Sequence, residues 1–153
     1  MKQIAALHIN GEIHEVGVEP GDTLLRALRE RIGMIGTKRG CDSGGCGCCT
    51  VLVDGKAMYS CMTFALSLVG KKITTIEGLA TDGKLNPLQE AFVEAGAVQC
   101  GYCTCGMILA AQQLLNTTPN PTEHEIRHAI AGNLCRCTGY HKIVEAIKLA
   151  AAG

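Results

Sequence analysis

The sequence predicts an α+β fold in which a small β-sheet domain precedes a four-helix bundle. Residues 2–9 alternate loosely between apolar and polar positions, and the Asn-Gly and Asp-Gly pairs at 10–11 and 54–55 are typical of β-hairpin turns. From residue 86 onward, apolar residues recur with helical spacing. The predicted domains are therefore residues 1–78 and 86–153, joined by a linker at 79–85.

The composition excludes several classes of protein. The 153 residues carry 14 basic and 14 acidic side chains without a basic block, so no nucleic-acid partner is expected. The apolar runs are far shorter than a membrane span, so no membrane insertion is expected. The opening MKQIAALHING lacks the apolar core of a signal peptide. We therefore expect the ten cysteines to be reduced and the protein to be cytoplasmic.

The N-terminal elements follow from local signals. Strands at 2–9 and 12–18 meet at Asn10-Gly11, and Asp22 or Thr23 can cap a helix whose leucines share one face. A second hairpin spans residues 50–61 and turns at Asp54-Gly55, and a last strand is expected at 72–77. Two hairpins, one helix and a late strand predict a small β-grasp sheet.

A cysteine loop lies between the helix and the second hairpin. Cys41, Cys46 and Cys49 form C-x4-C-x2-C and are followed by Cys61, the spacing with which plant-type ferredoxins hold a [2Fe–2S] cluster. The intervening glycines allow the backbone to turn sharply and to point amides at sulfur. Zinc, disulfides and unliganded buried thiols are the alternatives.

The C-terminal half contains a second cysteine group. Helices are predicted from Asn86-Pro87 to Gly96, from Thr104, from the Thr122–Glu125 capping box, and from about 141 to 151. In an up-and-down bundle the first and third connections lie at the same end. Those connections hold four thiols, which we expect to converge beside positive helix N-termini and Arg136. The four are Cys100, Cys103, Cys135 and Cys137. On spacing alone, zinc remains an alternative to iron and sulfide here.

The segments CDSGGCGCCTV, QCGYCTCGM and GNLCRCTGY resemble the two-cluster iron–sulfur subunit of the molybdenum hydroxylases, the xanthine dehydrogenase and aldehyde oxidoreductase family. The resemblance covers essentially the whole chain. It implies a plant-type ferredoxin-like domain, a helical domain, two [2Fe–2S] clusters, and electron transfer between a molybdenum centre and a flavin. The partners implied are a large molybdopterin-binding subunit and a medium FAD-binding subunit.

The resemblance also implies roles for individual residues. Cys41, Cys46, Cys49 and Cys61 would bind the cluster nearer the flavin. Cys100, Cys103, Cys135 and Cys137 would bind the cluster nearer the molybdopterin. Gln99 and Cys137 would lie beside the pterin.

Two cysteines depart from the family pattern. Cys48 stands where alanine is common, which leaves a C-x-C ligand pair through Cys46 conceivable. Cys105 stands where proline is common, at a first helical turn that would depress its pKa and make it redox-sensitive. The favoured alternative is that Cys48 and Cys105 are small buried thiols that bind no iron. The functional alternatives to an electron-transfer subunit are a zinc-stabilised interaction module and a free-standing ferredoxin.

Overall fold

The computed structural model describes residues 1–153 and contains a five-stranded mixed sheet followed by four helices. The strands are β1 (Gln3–Ile9), β2 (Glu12–Val18), β3 (Thr50–Val53), β4 (Lys56–Tyr59) and β5 (Lys72–Thr74). Their order is β2-β1-β5-β3-β4. β1 and β5 run parallel, and the other neighbours are antiparallel. The predicted α+β class is confirmed, with a sheet consistent with a ferredoxin-like fold.

Both predicted hairpin turns are present. Asn10 and Gly11 have φ of 53° and 86°, and Asp54 and Gly55 have φ of 49° and 81°. Positive φ at both central residues gives a turn whose twist matches that of the flanking strands.

The predicted first helix is present but changes type along its length. The α-helical turn α1 (Leu24–Arg26) begins after Thr23, whose hydroxyl accepts a hydrogen bond from the Arg26 amide at 3.3 Å. It continues as a π-helical segment, Ala27–Ile32. Leu24 and Leu28 are buried in a core with residues of β1, β2, β3 and β5, so the leucine face covers one side of the sheet.

The last strand is shorter than predicted. Strand β5 ends at Thr74, and a 3₁₀ turn at Ile76–Gly78 follows. Asn10 is the reason, because its side chain accepts a hydrogen bond from the Thr75 amide and donates one to the Thr75 hydroxyl, both at 2.9 Å. The Asn10 side chain thus makes the hydrogen bonds to Thr75 that the β1 backbone would make if the strand continued.

Four helices form the second half. They are α2 (Pro87–Glu94), α3 (Thr104–Thr117), α4 (Glu123–Ala129) and α5 (His141–Ala152). The capping boxes at Asn86–Gln89 and Thr122–Glu125 are both formed. Thr104 does not cap α3 as expected, because it is the first helical residue and Cys103 holds the cap position. The four helices share one apolar core, whereas a regular up-and-down bundle stays a prediction.

The two halves pack directly against each other. Helix α3 lies against β3 and β4, and the Gln113 side chain accepts a hydrogen bond from the Ala57 amide. The proposed domain limits at 78 and 86 stay a prediction. None of the helices is long and apolar enough to cross a membrane.

Candidate metal centres

The second hairpin brings the end of the first cysteine loop to Cys61. β3 and β4 are paired with Thr50 opposite Tyr59, and beyond this pair the Ser60 amide and hydroxyl donate to the Cys49 carbonyl, which leaves Cys61 beside Cys49. Their sulfur atoms are 3.3 Å apart. The pairing of β3 with β4 therefore brings the thiols of Cys49 and Cys61 together.

Cys41 forms a second pair with Cys46 in the same loop. Backbone amides of Ser43, Cys46 and Gly45 point at the Cys41 sulfur, as does the Cys46 side chain, and together they lower the pKa of Cys41 to about 6. These donors stabilise a thiolate, the form that binds metal. The loop thus holds an anionic sulfur in a nest of amides, as sequence analysis predicted from its glycines.

The other four thiols meet at the ends of the helices. The Cys103 side chain contacts that of Cys135, and the Cys137 side chain contacts that of Cys100. All four line one cavity of about 530 Å³, together with Arg136. The structure therefore contains the predicted convergence of two cysteine pairs that 31 residues separate in the sequence.

The thiols of this group perturb one another. Burial and the contact with Cys135 raise the pKa of Cys103 to about 12, and the contact with Cys100 raises the pKa of Cys137. Burial acts to raise the pKa of Cys135, but the hydroxyl and amide of Thr138 lower it overall. That hydroxyl lies 3.0 Å from the sulfur. A bound metal would reverse the raised pKa values, because its positive charge stabilises neighbouring thiolates against their mutual repulsion.

Each group contains two pairs of thiols, and this arrangement fits the proposed cofactor. Four cysteines hold a [2Fe–2S] cluster with two thiolates on each iron. The pairs are Cys41 with Cys46, Cys49 with Cys61, Cys103 with Cys135, and Cys100 with Cys137. No group of three or more His, Cys, Asp or Glu side chains surrounds a single metal-ion position.

The two pairs of the helical group differ in exposure. Cys103 is buried and Cys135 is half-buried, whereas Cys100 and Cys137 are exposed. Gln99 is exposed beside Cys100. The group therefore has an inner pair that faces the sheet domain and an outer pair at the surface.

Cys48 and Cys105 lie between the two groups and are both buried. Cys48 packs in the core of the helices, although its thiol also contacts Cys46, and burial raises its pKa to about 12. The Cys105 thiol donates a hydrogen bond to the Cys48 carbonyl at 3.3 Å. The expected depression of the Cys105 pKa was wrong, because burial outweighs the helix terminus and raises it.

A set of contacts between the two loops was missed by sequence analysis, which treated each half alone. The Tyr102 hydroxyl donates to the Arg39 carbonyl at 2.6 Å, and the Leu134 amide donates to the Cys46 carbonyl at 2.8 Å. The side chain of the buried Asn133 donates to the Gly47 carbonyl at 2.8 Å. The only signal in the sequence was a single Asn immediately before Leu134 and Cys135, flanked by Gly132.

Two family models match the chain. A 2Fe-2S iron-sulfur cluster binding domain matches residues 7–72, and a [2Fe-2S] binding domain matches residues 75–148. Each match contains one of the two cysteine groups.

Individual relatives match over nearly the full length. The chain is 50% identical to the nicotinate dehydrogenase small FeS subunit of Eubacterium barkeri, over 94% of this chain and 92% of that one. It is 48% identical to the xanthine dehydrogenase iron-sulfur-binding subunit of Escherichia coli O157:H7, over 91% and 88%.

Solved structures show the same fold. Quinoline 2-oxidoreductase from Pseudomonas putida 86 matches with a TM-score of 0.95 and 45% identity, over 99% of this chain and 94% of that one. The aldehyde oxidoreductase from Desulfovibrio desulfuricans matches with a TM-score of 0.94 and 37% identity, over 98% of this chain but 17% of that one. In that enzyme, the same fold is one part of a much longer polypeptide.

Proposed function

The chain belongs to the two-[2Fe–2S] iron–sulfur subunits of the molybdenum hydroxylase family, and from this we propose how its residues serve electron transfer. It is the electron-transfer subunit of an oxidoreductase complex and carries two [2Fe–2S] clusters. A cluster of this kind accepts and returns one electron at a time. The chain itself provides the cluster ligands, shields the clusters from solvent and contacts the partner subunits.

We propose that Cys41, Cys46, Cys49 and Cys61 hold the first cluster. The support is their arrangement in two pairs around a loop whose amides stabilise a thiolate. Backbone amides that donate to sulfur also stabilise the reduced cluster, whose negative charge is greater.

We propose that the second cluster is held by the four thiols that line the cavity between the helix ends. The inner pair is Cys103 and Cys135, and the outer pair is Cys100 and Cys137. Helix α3 begins at Thr104, so the positive end of the helix faces this cavity. This arrangement into pairs is the observation that carries the ligand assignment.

The outer pair marks the side on which we propose that the molybdenum-containing subunit binds. Cys100 and Cys137 are exposed, and Gln99 beside them is free to contact a pterin. Leu134 and Tyr102 are 55% and 44% exposed at the same end of the molecule. Large apolar side chains around a cofactor site are typical of a surface that a partner covers.

The surface beside Cys61 is the side on which we propose that an FAD-binding subunit receives the electrons. The residues next to Cys61 expose apolar surface, with Met62 67% and Phe64 57% exposed. Met62 also lies against Gly44 of the first cysteine loop. We further propose a cytoplasmic complex, since a reducing compartment keeps the eight ligand thiols from forming disulfides.

Metal and sulfide analysis of the purified complex tests this function. We expect about four irons and four acid-labile sulfides per copy of this chain, with two distinct signals in the EPR spectrum of the reduced protein. Zinc in place of iron would refute the proposed ligand chemistry. Cys49→Ser and Cys103→Ser provide matched tests, and each should remove a different one of the two signals.

A further inference from the structure

Three consecutive residues, Gly132–Leu134, connect the second cysteine group to the first. The Gly132 carbonyl accepts a hydrogen bond from the Tyr59 hydroxyl at 2.6 Å. The Asn133 side chain donates to the Gly47 carbonyl at 2.8 Å, and the Leu134 amide donates to the Cys46 carbonyl at 2.8 Å. We call these residues the bridging strip.

The last residue of the bridging strip, Leu134, is next to proposed ligands of both clusters. Cys135 follows Leu134 directly, and the acceptor of the Leu134 amide is the carbonyl of Cys46 itself. A single hydrogen bond therefore links one ligand residue to the neighbour of another. Electron tunnelling falls off exponentially with distance and is more efficient through bonded atoms than across gaps, so this contact is well placed to couple the two sites.

Asn133 is the residue that holds the bridging strip in place. Its side chain is 4% exposed and contacts both the Gly47 carbonyl and the Thr50 hydroxyl, the latter at 3.2 Å. The Thr50 hydroxyl donates to the same Gly47 carbonyl at 2.7 Å. A buried amide with these partners is costly to displace, because its N–H groups would lose both of their acceptors.

Two glycines allow the loops to approach so closely. A Cβ on Gly47, whose φ is +72°, would lie 2.3 Å from the Gly132 carbonyl oxygen. A Cβ on Gly106 would lie 2.3 Å from the Gly47 carbonyl oxygen and 3.0 Å from the Asn133 amide nitrogen. The space around the strip is thus filled by backbone on both sides, which leaves little freedom for the loops to shift.

We propose that Asn133 is a positioning residue for electron transfer between the two clusters. It locks the bridging strip so that the hydrogen bond from Leu134 to Cys46 stays formed and the distance between the clusters stays fixed. This inference rests on the proposed function, since it takes the two cysteine groups as cluster ligands.

The test compares Asn133→Ala with wild type in the purified complex after reduction with dithionite. When both clusters are reduced, the magnetic interaction between their unpaired electrons splits the EPR lines, and this splitting decreases steeply with distance. We expect both signals and the iron content to be retained, with a smaller splitting in the variant. We also expect the Leu134 amide to lose protection in hydrogen exchange.

Gln113→Ala is the matched control, because it removes another amide contact between the halves, at Ala57 and away from both loops. It should leave the splitting and the Leu134 exchange unchanged. An Asn133→Ala complex that unfolds more easily but keeps the wild-type splitting would overturn the proposal, because the role would then be structural only.

Tyr59→Phe is a second variant, which tests the proposal if the Asn133→Ala protein loses a cluster and its splitting cannot be measured. It removes only the hydroxyl that donates to Gly132 and should produce a smaller decrease in splitting. Wild-type splitting in this variant, together with cluster loss in Asn133→Ala, would also overturn the proposal. Absence of iron from the wild-type chain would instead refute the proposed function, so the two failures are distinguishable.

Discussion

Asp22 is a buried carboxylate that anchors the turn before α1. It is 1% exposed, accepts a hydrogen bond from the Glu19 amide at 3.0 Å, and contacts Arg26 and Arg31 at 3.0 and 3.3 Å. The Arg26 contact is an ion pair without hydrogen-bond alignment. The backbone hydrogen bond and both arginines hold the pKa of Asp22 below its usual range, despite burial.

Replacing Asp22 with Asn should destabilise the sheet domain by about 1–3 kcal/mol, because a charged acceptor is lost from a buried network. Because the pKa of Asp22 is lower in the folded than in the unfolded protein, its ionisation stabilises the fold fully at any pH above the unfolded-state pKa of about 4. This stabilisation is lost as the pH falls toward the folded-state pKa. The difference in Tm between variant and wild type should therefore be constant from about pH 5 to 8 and shrink only below about pH 4.

Thermal unfolding of the two proteins across this pH range checks the prediction. Asp82→Asn, at an exposed position, is the control and should shift stability by less than about 0.5 kcal/mol. A difference that disappears between pH 8 and 6 would show that another group is responsible.

Cys48 and Cys105 are predicted to be structural thiols. Both are buried, and the Cys105 sulfur is already engaged with the Cys48 carbonyl. The double variant Cys48→Ser, Cys105→Ser should keep both EPR signals and the full iron content. Loss of the first signal would instead make Cys48 a ligand, in a C-x-C pair with Cys46.

At the scale of elements, the contact between α3 and the first cysteine loop depends on the absence of a side chain at Gly106. Alanine normally favours a helix over glycine by about 1 kcal/mol. Here its Cβ would meet the Gly47 carbonyl at 2.3 Å. Because overpacking against backbone costs about 1–3 kcal/mol, we expect Gly106→Ala to be destabilising.

Chemical or thermal unfolding measures this effect, and Gly17→Ala is the matched control. Gly17 lies in β2 with open space around the position of a Cβ, so its substitution should change stability by less than about 0.5 kcal/mol. Stabilisation by Gly106→Ala would mean that the loop can move away from α3.

The elements that sequence analysis predicted well are those set by neighbours in the chain. Asn10-Gly11, Asp54-Gly55 and the capping box at Thr122 involve residues within a few positions of one another, and all are formed. The cysteine groups were also recognisable, because spacing restricts which thiols can share a cofactor.

The features that were missed depend on partners far apart in sequence. The end of β5 is set by Asn10, 65 positions away from Thr75, and Asn133 contacts Gly47 across 86 positions. The residues that neighbour Asn10 and Asn133 in the sequence do not distinguish either of them from an ordinary asparagine in a loop. Burial likewise reversed the expected pKa of Cys105, since the helix terminus is visible in sequence and the packing above it is not.

At the scale of the whole molecule, charge should distinguish the two clusters. Arg136 lines the cavity of the second group, where the positive end of α3 also lies. Both favour the extra negative charge that reduction adds. Arg136→Gln should lower the potential of the second cluster by about 40 mV, equivalent to about 1 kcal/mol for an exposed charge, and leave the first unchanged.

Potentiometric titration followed by EPR measures the two clusters separately. Arg127→Gln, on α4 and paired with Glu123, is the control and should shift neither potential. Equal shifts at both clusters in Arg136→Gln would contradict this placement of the charge.

The order of the sheet has a consequence for biosynthesis. Its central strand, β5, is the last one made, so a nascent chain that ends before residue 72 holds two hairpins with nothing between them. Once β5 leaves the ribosome, the first cysteine loop can acquire its final shape, whereas the bridging strip is translated about 60 residues later. At ordinary rates of translation this interval is roughly 3 to 12 seconds. During it, we expect the first cysteine loop to be exposed on the side that the helices later cover.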